Sequence, residues 1–211
     1  YSYFKSLNNL EDSHYTYSQY YQYSLVALGK FKDAAKYSKK LKDKELDNFE
    51  SNLISAVYYL EEKDLKNASF HLRKLKYKNQ PDSIQNFLSI TLNAWIDFKN
   101  ISNIESALSI LDTLPKSFKS IKNIQKTFAY CYFDSPKADE IFKKLTSNKK
   151  INYSRYYYFH SNYLISKKKD NEAQEIIATG LDQFPKNLIL NQLKSDLQKK
   201  KIFSNKFDCK K

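Results

Sequence analysis

The chain has 211 residues, of which 41% are hydrophobic and 16% aromatic, with 2 Gly and 4 Pro. This composition supplies a core and excludes a charge-rich disordered chain, and the helical spacing of the apolar residues, with so few turn residues, excludes a strand-rich fold. The net charge of +13 makes an acidic partner worth testing, yet only Arg73 and Arg155 of the 36 basic residues are arginines, the residue on which nucleic-acid readers rely. We attribute most of the lysine excess to the codon usage of an AT-rich genome.

The N-terminal part of the chain predicts a helical pair. Residues 1–7 are aromatic and apolar and fit the end of a preceding helix. A helix over about 14–28 follows, with tyrosines at positions 15, 17, 20, 21 and 23, too many for one face. Gly29 ends this helix, and its antiparallel partner is predicted over about 32–42, with an inward stripe of small and apolar residues: Ala34, Ala35, Tyr37, Ser38 and Leu41.

The same pattern recurs along the rest of the chain. Apolar spacing predicts further helices over 49–61, 65–75, 84–98, 104–114, 138–145, 155–166 and 171–181, and a capping helix over about 188–200. The turn Asp134-Ser135-Pro136 is predicted to be about three residues shorter than its counterparts. The end of the chain, 201–211, is basic and irregular and is expected to be a mobile tail or a truncated continuation of the fold.

Four positions repeat at a spacing of 34 residues between the first two pairs: Gly29 with Lys63, Phe31 with Leu65, Ala34 with Ala68, and Leu41 with Leu75. Each second helix carries a small residue that allows close approach to the first helix, and Phe31, Leu65 and Ile104 are expected to seal the turns. The small residues are Ala34, Ala68, Ala107, Ala138 and Ala173. We therefore divide the chain into units at about 15–48, 49–82, 84–118, 119–150 and 154–187.

A helix–turn–helix unit of about 34 residues, with this alanine and a closing Pro185, resembles the tetratricopeptide repeat (TPR) family over nearly the whole chain. The resemblance implies an all-α protein, a right-handed α-solenoid of antiparallel helix pairs spanning 1–211 as one domain. Sel1-like and HAT repeats are built from similar pairs and stay as alternatives.

The resemblance also implies a function. TPR-like arrays bind partner proteins or peptides in a concave groove lined by the first helix of each unit, which predicts a non-catalytic interaction scaffold. A clamp for a peptide's terminal carboxylate finds few matching residues here, so an apolar or helical segment is the favoured ligand. The predicted groove residues are Tyr23, Val57, Ile96, Arg155, Tyr158 and Asn162.

Two alternatives remain from the residues themselves. Lysines of the second helices would lie on the convex side, as a solvated face or as a surface for RNA or an anionic membrane, with the tyrosine-rich stretches 15–23 and 153–163 as stacking platforms. These lysines are Lys36, Lys39, Lys40, Lys42, Lys66, Lys74, Lys143 and Lys144. The chain could also be a structural segment whose groove is filled by a larger protein's own chain.

The sequence contains no recognisable motif for catalysis or for binding a cofactor. His14, His71 and His160 have no neighbours at ligand spacing, and His160 is predicted to be a core histidine. No phosphate loop or nucleophile motif occurs. We expect no enzyme activity, no cofactor and no metal. The acidic pairs Glu61-Glu62 and Asp139-Glu140 are expected to be solvated.

Cys131 and Cys209 have no metal-binding spacing, and Cys131 lies in an apolar helical run that predicts a buried thiol. A disulfide stays open, and with it the redox compartment. No apolar run reaches the roughly 20 residues of a membrane helix. The start at Tyr1, without Met or signal peptide, indicates a mature form or a fragment. We expect a bacterial protein, with the cytoplasm favoured over a periplasmic or membrane-associated location.

Overall fold

The computed structural model describes residues 2–7, 10, 13–76, 80, 82–147, 153–199 and 207–210. All regular secondary structure in these residues is helical, as the apolar spacing predicts. The α-helices are α1 (Ser2–Ser6), α2 (Tyr15–Ala27), α3 (Phe31–Asp43), α4 (Phe49–Glu61), α5 (Leu65–Lys74), α6 (Ile84–Asp97), α7 (Ile104–Asp112), α8 (Lys119–Tyr132), α9 (Ala138–Ser147), α10 (Ser154–Ser166), α11 (Asp170–Gln183) and α12 (Leu188–Gln198). Short 3₁₀ turns occupy Phe98–Asn100 and Lys116–Phe118.

The chain divides into two compact units. Unit 1 comprises Tyr1–Ser102 and Thr113–Ser117, and unit 2 comprises Asn103–Asp112 and Phe118–Lys211. In unit 1 each helix from α2 to α5 packs against the next one along the chain, and in unit 2 each helix from α7 to α11 does the same. A single continuous solenoid over 1–211 stays a prediction.

The five alanines of the second helices are buried, as predicted, and each is 2% exposed or less. Four of them are the fourth residue of their helix, so the same turn of helix faces the neighbouring helix each time. An alanine here lets the helix axes approach closely, because no larger side chain separates the backbones. Phe31 does not seal its turn, since 54% of its surface is exposed.

Each described turn that joins the two helices of a pair inside unit 1 or inside unit 2 contains one residue with a left-handed backbone conformation. The backbone of the residue after it donates to a carbonyl five positions back, a hydrogen bond that closes the helix end in the Schellman arrangement. The left-handed residues are Gly29 (φ 69°), Lys63 (φ 61°), Asp134 (φ 49°) and Lys168 (φ 60°). The bonds run from Lys30 to Leu25, Asp64 to Tyr59, Ser135 to Tyr130 and Lys169 to Leu164.

The fourth turn differs from its prediction. Five residues separate α8 from α9, whereas three separate α2 from α3 and α10 from α11. The turn itself is therefore not shortened. Helix α9 instead begins late, because Ala138 is its first residue and Pro136, which lacks a backbone N–H, stands in the segment that is helical elsewhere.

The expected mobile tail at 201–211 is wrong for its described part, 207–210. Cys209 forms a disulfide with Cys131 at the end of α8, and Phe207 packs against the core of unit 2. Cys131 is thus half of a cross-link rather than the buried thiol that its apolar surroundings predict. The rest of this segment lies outside the described residues.

Candidate functional site

Two of the predicted groove residues lie in matching positions on neighbouring helices of unit 1. Tyr23 on α2 and Val57 on α4 are separated by one period of 34 residues, and these helices contact each other. Tyr23 is 55% exposed and Val57 50% exposed. The residues that precede them, Gln22 and Ala56, are fully buried. Each helix therefore turns one side into the core and presents an apolar side chain to solvent on another.

Ile96 on α6 is less available than these two residues. It is half-buried and packs against the cluster formed by Ala56, Leu72 and Leu75. Its side chain is part of the core of unit 1 at least as much as of any surface. The structure thus presents two of the three predicted residues of unit 1 as exposed side chains.

The three predicted residues of unit 2 lie on α10 at spacings that place them on one side of the helix. Arg155 is exposed, while Tyr158 is half-buried and packs against the core of unit 2. The Asn162 amide donates to the Tyr158 backbone oxygen at 2.8 Å. One of the two N–H groups of Asn162 is therefore engaged within its own helix. Of the three predicted residues on this side of α10, Arg155 is the one with a cationic side chain.

The tyrosine-rich stretch of α2 is mainly a packing element. The Tyr17 and Tyr21 rings stack with centroids 6.0 Å apart, and the Tyr21 ring meets Tyr37 of α3 edge-on at 4.8 Å. The Tyr17 hydroxyl lies 2.8 Å from the Phe4 backbone oxygen and 2.7 Å from that of Leu7, and its one proton is shared between these two acceptors. This contact attaches α1 to α2. Nucleic-acid stacking is not needed to explain these rings.

His160 is a core histidine, as predicted. It is fully buried, its ring stacks on Phe142 with centroids 5.5 Å apart, and its Nδ1 lies 3.0 Å from the Thr146 hydroxyl. Burial lowers the pKa of His160 to about 4, so the imidazole is neutral at pH 7. No group of side chains in the described part of the chain could hold a metal ion.

Asp139 is not the solvated carboxylate that the sequence predicts. It is half-buried and accepts a hydrogen bond from the Lys169 ammonium. Burial acts to raise the pKa of Asp139, but hydrogen bonds from Lys169 and the Tyr163 hydroxyl outweigh it and lower this pKa below its ordinary value. Glu61, Glu62 and Glu140 are exposed, as expected. The Asp139–Lys169 pair therefore joins α9 to α11 and is a structural contact.

The predicted second-helix lysines are all exposed. Some have acidic partners: the Lys74 ammonium lies 2.7 Å from Asp47, and the Lys144 ammonium 2.5 Å from Glu140. Exposed pairs of this kind contribute little to stability, because solvent screens their charges. Among the described residues, no helix is both long and apolar enough to cross a membrane.

Paired helices, turns closed by the same type of hydrogen bond, and buried alanines 31 to 39 residues apart define an all-α helical-repeat protein. A TPR protein from Thermus thermophilus has a similar solved structure, with a TM-score of 0.58 at 16% sequence identity, over 86% of this chain and 97% of that chain. No protein-family model and no curated protein sequence matches this chain. The structural similarity shows that the chain has a TPR-like helical-repeat fold.

Proposed function

We propose that this protein is a non-catalytic scaffold that binds a partner protein or peptide through the first helices of its repeats. The observation that carries the proposal is the pair Tyr23 and Val57, apolar residues in the same register on contacting helices, each about half exposed. A repeat that buries its alanines fully yet leaves these positions in solvent offers a strip of apolar surface. Covering such a strip is favourable by about 25 cal/mol per Å² of apolar area removed from water.

Helix α10 provides the corresponding surface of unit 2 in this proposal. Arg155 supplies a charge and Tyr158 an aromatic ring, two of the residue types that contribute most to protein interfaces. Since one Asn162 N–H is already bonded to the Tyr158 backbone, a carboxylate clamp built on Asn162 is disfavoured. We infer that the ligand is an apolar or helical segment, with no cofactor or metal required.

A second candidate function is binding of RNA or an anionic membrane surface. The net charge of +13 and the exposed second-helix lysines favour it. A titration of salt against nonspecific RNA and anionic vesicles separates it from the scaffold function, because electrostatic binding is strongest at low salt. Negligible binding at low salt would rule out this candidate.

Site-specific photo-crosslinking tests the scaffold proposal. A photoreactive phenylalanine at position 23 or 57 is expected to capture the same partner, whereas the same group at Phe31 is not. Phe31 is the matched control because it is as exposed as Tyr23 but lies on α3, a second helix.

Loss of binding in substituted proteins completes this test. Val57→Asp should abolish capture of that partner from position 23 while leaving the helical circular dichroism unchanged, since an exposed substitution costs little stability. If the partner is captured equally from position 31, or if Val57→Asp leaves it bound, the proposed surface is wrong.

A further inference from the structure

A cavity of about 330 Å³ lies between α3, α4 and α5, entirely within unit 1. Its walls differ in character. Helix α3 contributes a ladder of lysines, whereas α4 and α5 contribute aromatic rings. The lysine wall consists of Lys32, Lys36, Lys39 and Lys42, and the aromatic wall consists of Tyr58, Tyr59 and His71.

The lysine wall carries charge that its surroundings do not neutralise. Lys32, Lys36 and Lys39 follow one another at helical spacings of four and three residues, which places their ammonium groups along one side of α3. In the part of the chain that the structure describes, none of these three forms an ion pair, and Asp43 is the acidic residue among those that line the cavity. Like charges at this spacing destabilise a helix by about 0.2–0.5 kcal/mol per pair, and a bound anion would reverse that effect.

The aromatic wall is preorganised. The Tyr59 ring stacks on His71 with centroids 5.6 Å apart and planes 13° apart, and the Tyr58 ring meets Tyr59 edge-on, also at 5.6 Å. One face of Tyr59 is therefore already covered by His71. That arrangement suits the side of an apolar or aromatic side chain better than the stacking of successive bases, which requires open ring faces.

A network of side chains fixes the His71 imidazole at the rear of this wall. The Asn52 amide nitrogen donates to the Asp47 carboxylate and to the Asn48 backbone oxygen, each at 2.9 Å. The Asn52 oxygen therefore faces His71 and accepts from its Nδ1 at 2.8 Å. His71 Nε2 has no hydrogen bond within the described residues. Because the ring is held in place and lines the cavity, its NMR signals should change when a ligand binds there.

We propose that this cavity binds an acidic segment of a partner protein, in which carboxylates pair with Lys32, Lys36 and Lys39 and an apolar side chain lies against Tyr58. The inference rests on the proposed scaffold function, because it assumes that the partner is a protein. The cavity is recessed between three helices and holds only a few side chains, which suits a short peptide segment and not a flat membrane surface. Long-range attraction by the lysines would also speed the encounter with an acidic partner.

A blocked acidic hexapeptide of Glu and Phe, added to the full chain, tests this assignment by NMR. The chain has 3 histidines, so their imidazole signals are resolved with little overlap. The peptide should shift the His71 signals and leave those of His14 and His160 unchanged, because neither of these lines the cavity. The same peptide with Gln in place of Glu should shift His71 far less.

Two charge reversals then separate specific binding from general attraction. Lys36→Glu should weaken peptide binding about tenfold, the size expected when one partly exposed ion pair becomes a repulsion. Lys194→Glu, on the exposed side of α12 in unit 2, changes the net charge by the same amount and should weaken binding less than about twofold.

Three results would overturn the inference: no shift of His71, equal weakening by the two reversals, or a stronger shift of His71 with a uridine hexanucleotide or anionic vesicles than with the peptide. None of these results bears on crosslinking from positions 23 and 57, so failure of the cavity assignment can be told from failure of the scaffold function.

Discussion

The left-handed turns between helices offer a direct test of how the repeat is held together. Gly29, Lys63 and Lys168 occupy the same position of their turns, with φ of 69°, 61° and 60°. Only the first is glycine, the residue that adopts this conformation without steric cost. Replacing Lys63 or Lys168 by glycine should therefore stabilise the protein, and replacing Gly29 by alanine should destabilise it.

The magnitude follows from two opposing effects. A side chain in the left-handed region costs about 1–2 kcal/mol, which glycine removes. Glycine also gives the unfolded chain more conformational freedom, which lowers the free energy of unfolding by about 0.4–1 kcal/mol. The expected net gain is about 0.5–1 kcal/mol for Lys63→Gly. Gly29→Ala should lose about as much, and only through the backbone, because a Cβ at position 29 would meet no atom within 4 Å.

Urea unfolding followed by circular dichroism measures these changes, since a stability change without altered compactness moves the midpoint and leaves the slope unchanged. Lys36→Gly is the matched control, because it removes the same exposed side chain from the middle of α3 and should destabilise by about 1 kcal/mol. If Lys63→Gly destabilised the protein as much as Lys36→Gly does, the backbone at Lys63 would not be strained in the way that its positive φ implies.

Three further predictions concern single contacts. Removing the Cys131–Cys209 disulfide with paired serines should lower the free energy of unfolding by up to about 4 kcal/mol, because the link spans 78 residues; a melting temperature unaffected by reductant would contradict it. Gly180→Ala should destabilise by about 1–3 kcal/mol, since its Cβ would lie 2.9 Å from Tyr157 Cβ; a urea midpoint at or above wild type would contradict it. Because the pKa of His160 is lowered from 6.5 to about 4 in the folded protein, the unfolded chain should take up this proton at a higher pH than the folded chain. Stability should thus fall by about 3 kcal/mol as pH drops from 6.5 to 4, and His160→Gln should flatten that dependence in urea unfolding at several pH values.

Most of the helices and their buried alanines could be predicted because both leave a periodic signal in the sequence, although no bounds are predicted for α8 (Lys119–Tyr132). Ala34 and Ala68 are buried for the same reason at the same spacing, so a pattern of one small residue among apolar neighbours is enough. Helix α4 has the bounds predicted from its apolar spacing, and the structure shows that the Asn48 side chain caps its start. The place of His160 between tyrosines, on the inward face of its helix, is enough to predict a core histidine, and the side chain is fully buried.

Features that depend on distant segments could not be predicted in this way. The spacing of 78 residues between Cys131 and Cys209 says nothing about their proximity, which arises only when the chain returns to the end of α8. Likewise, the lysines of α3 are visible in the sequence, but the aromatic wall of the cavity is formed by residues of α4 and α5. The prediction that Phe31 seals its turn is wrong, because a large residue at a turn can point outward as easily as inward.

The placement of the lysines carries more information than their number. An AT-rich codon bias would raise lysine content everywhere, but it would not decide which lysines have acidic partners. Lys74 and Lys169 pair with Asp47 and Asp139, whereas the ladder on α3 faces a cavity with its charges unpaired in the described structure. The difference between Lys36→Glu and Lys194→Glu, which alter the same total charge at two places, therefore decides whether the basic character of this protein is a property of its genome or of a binding site.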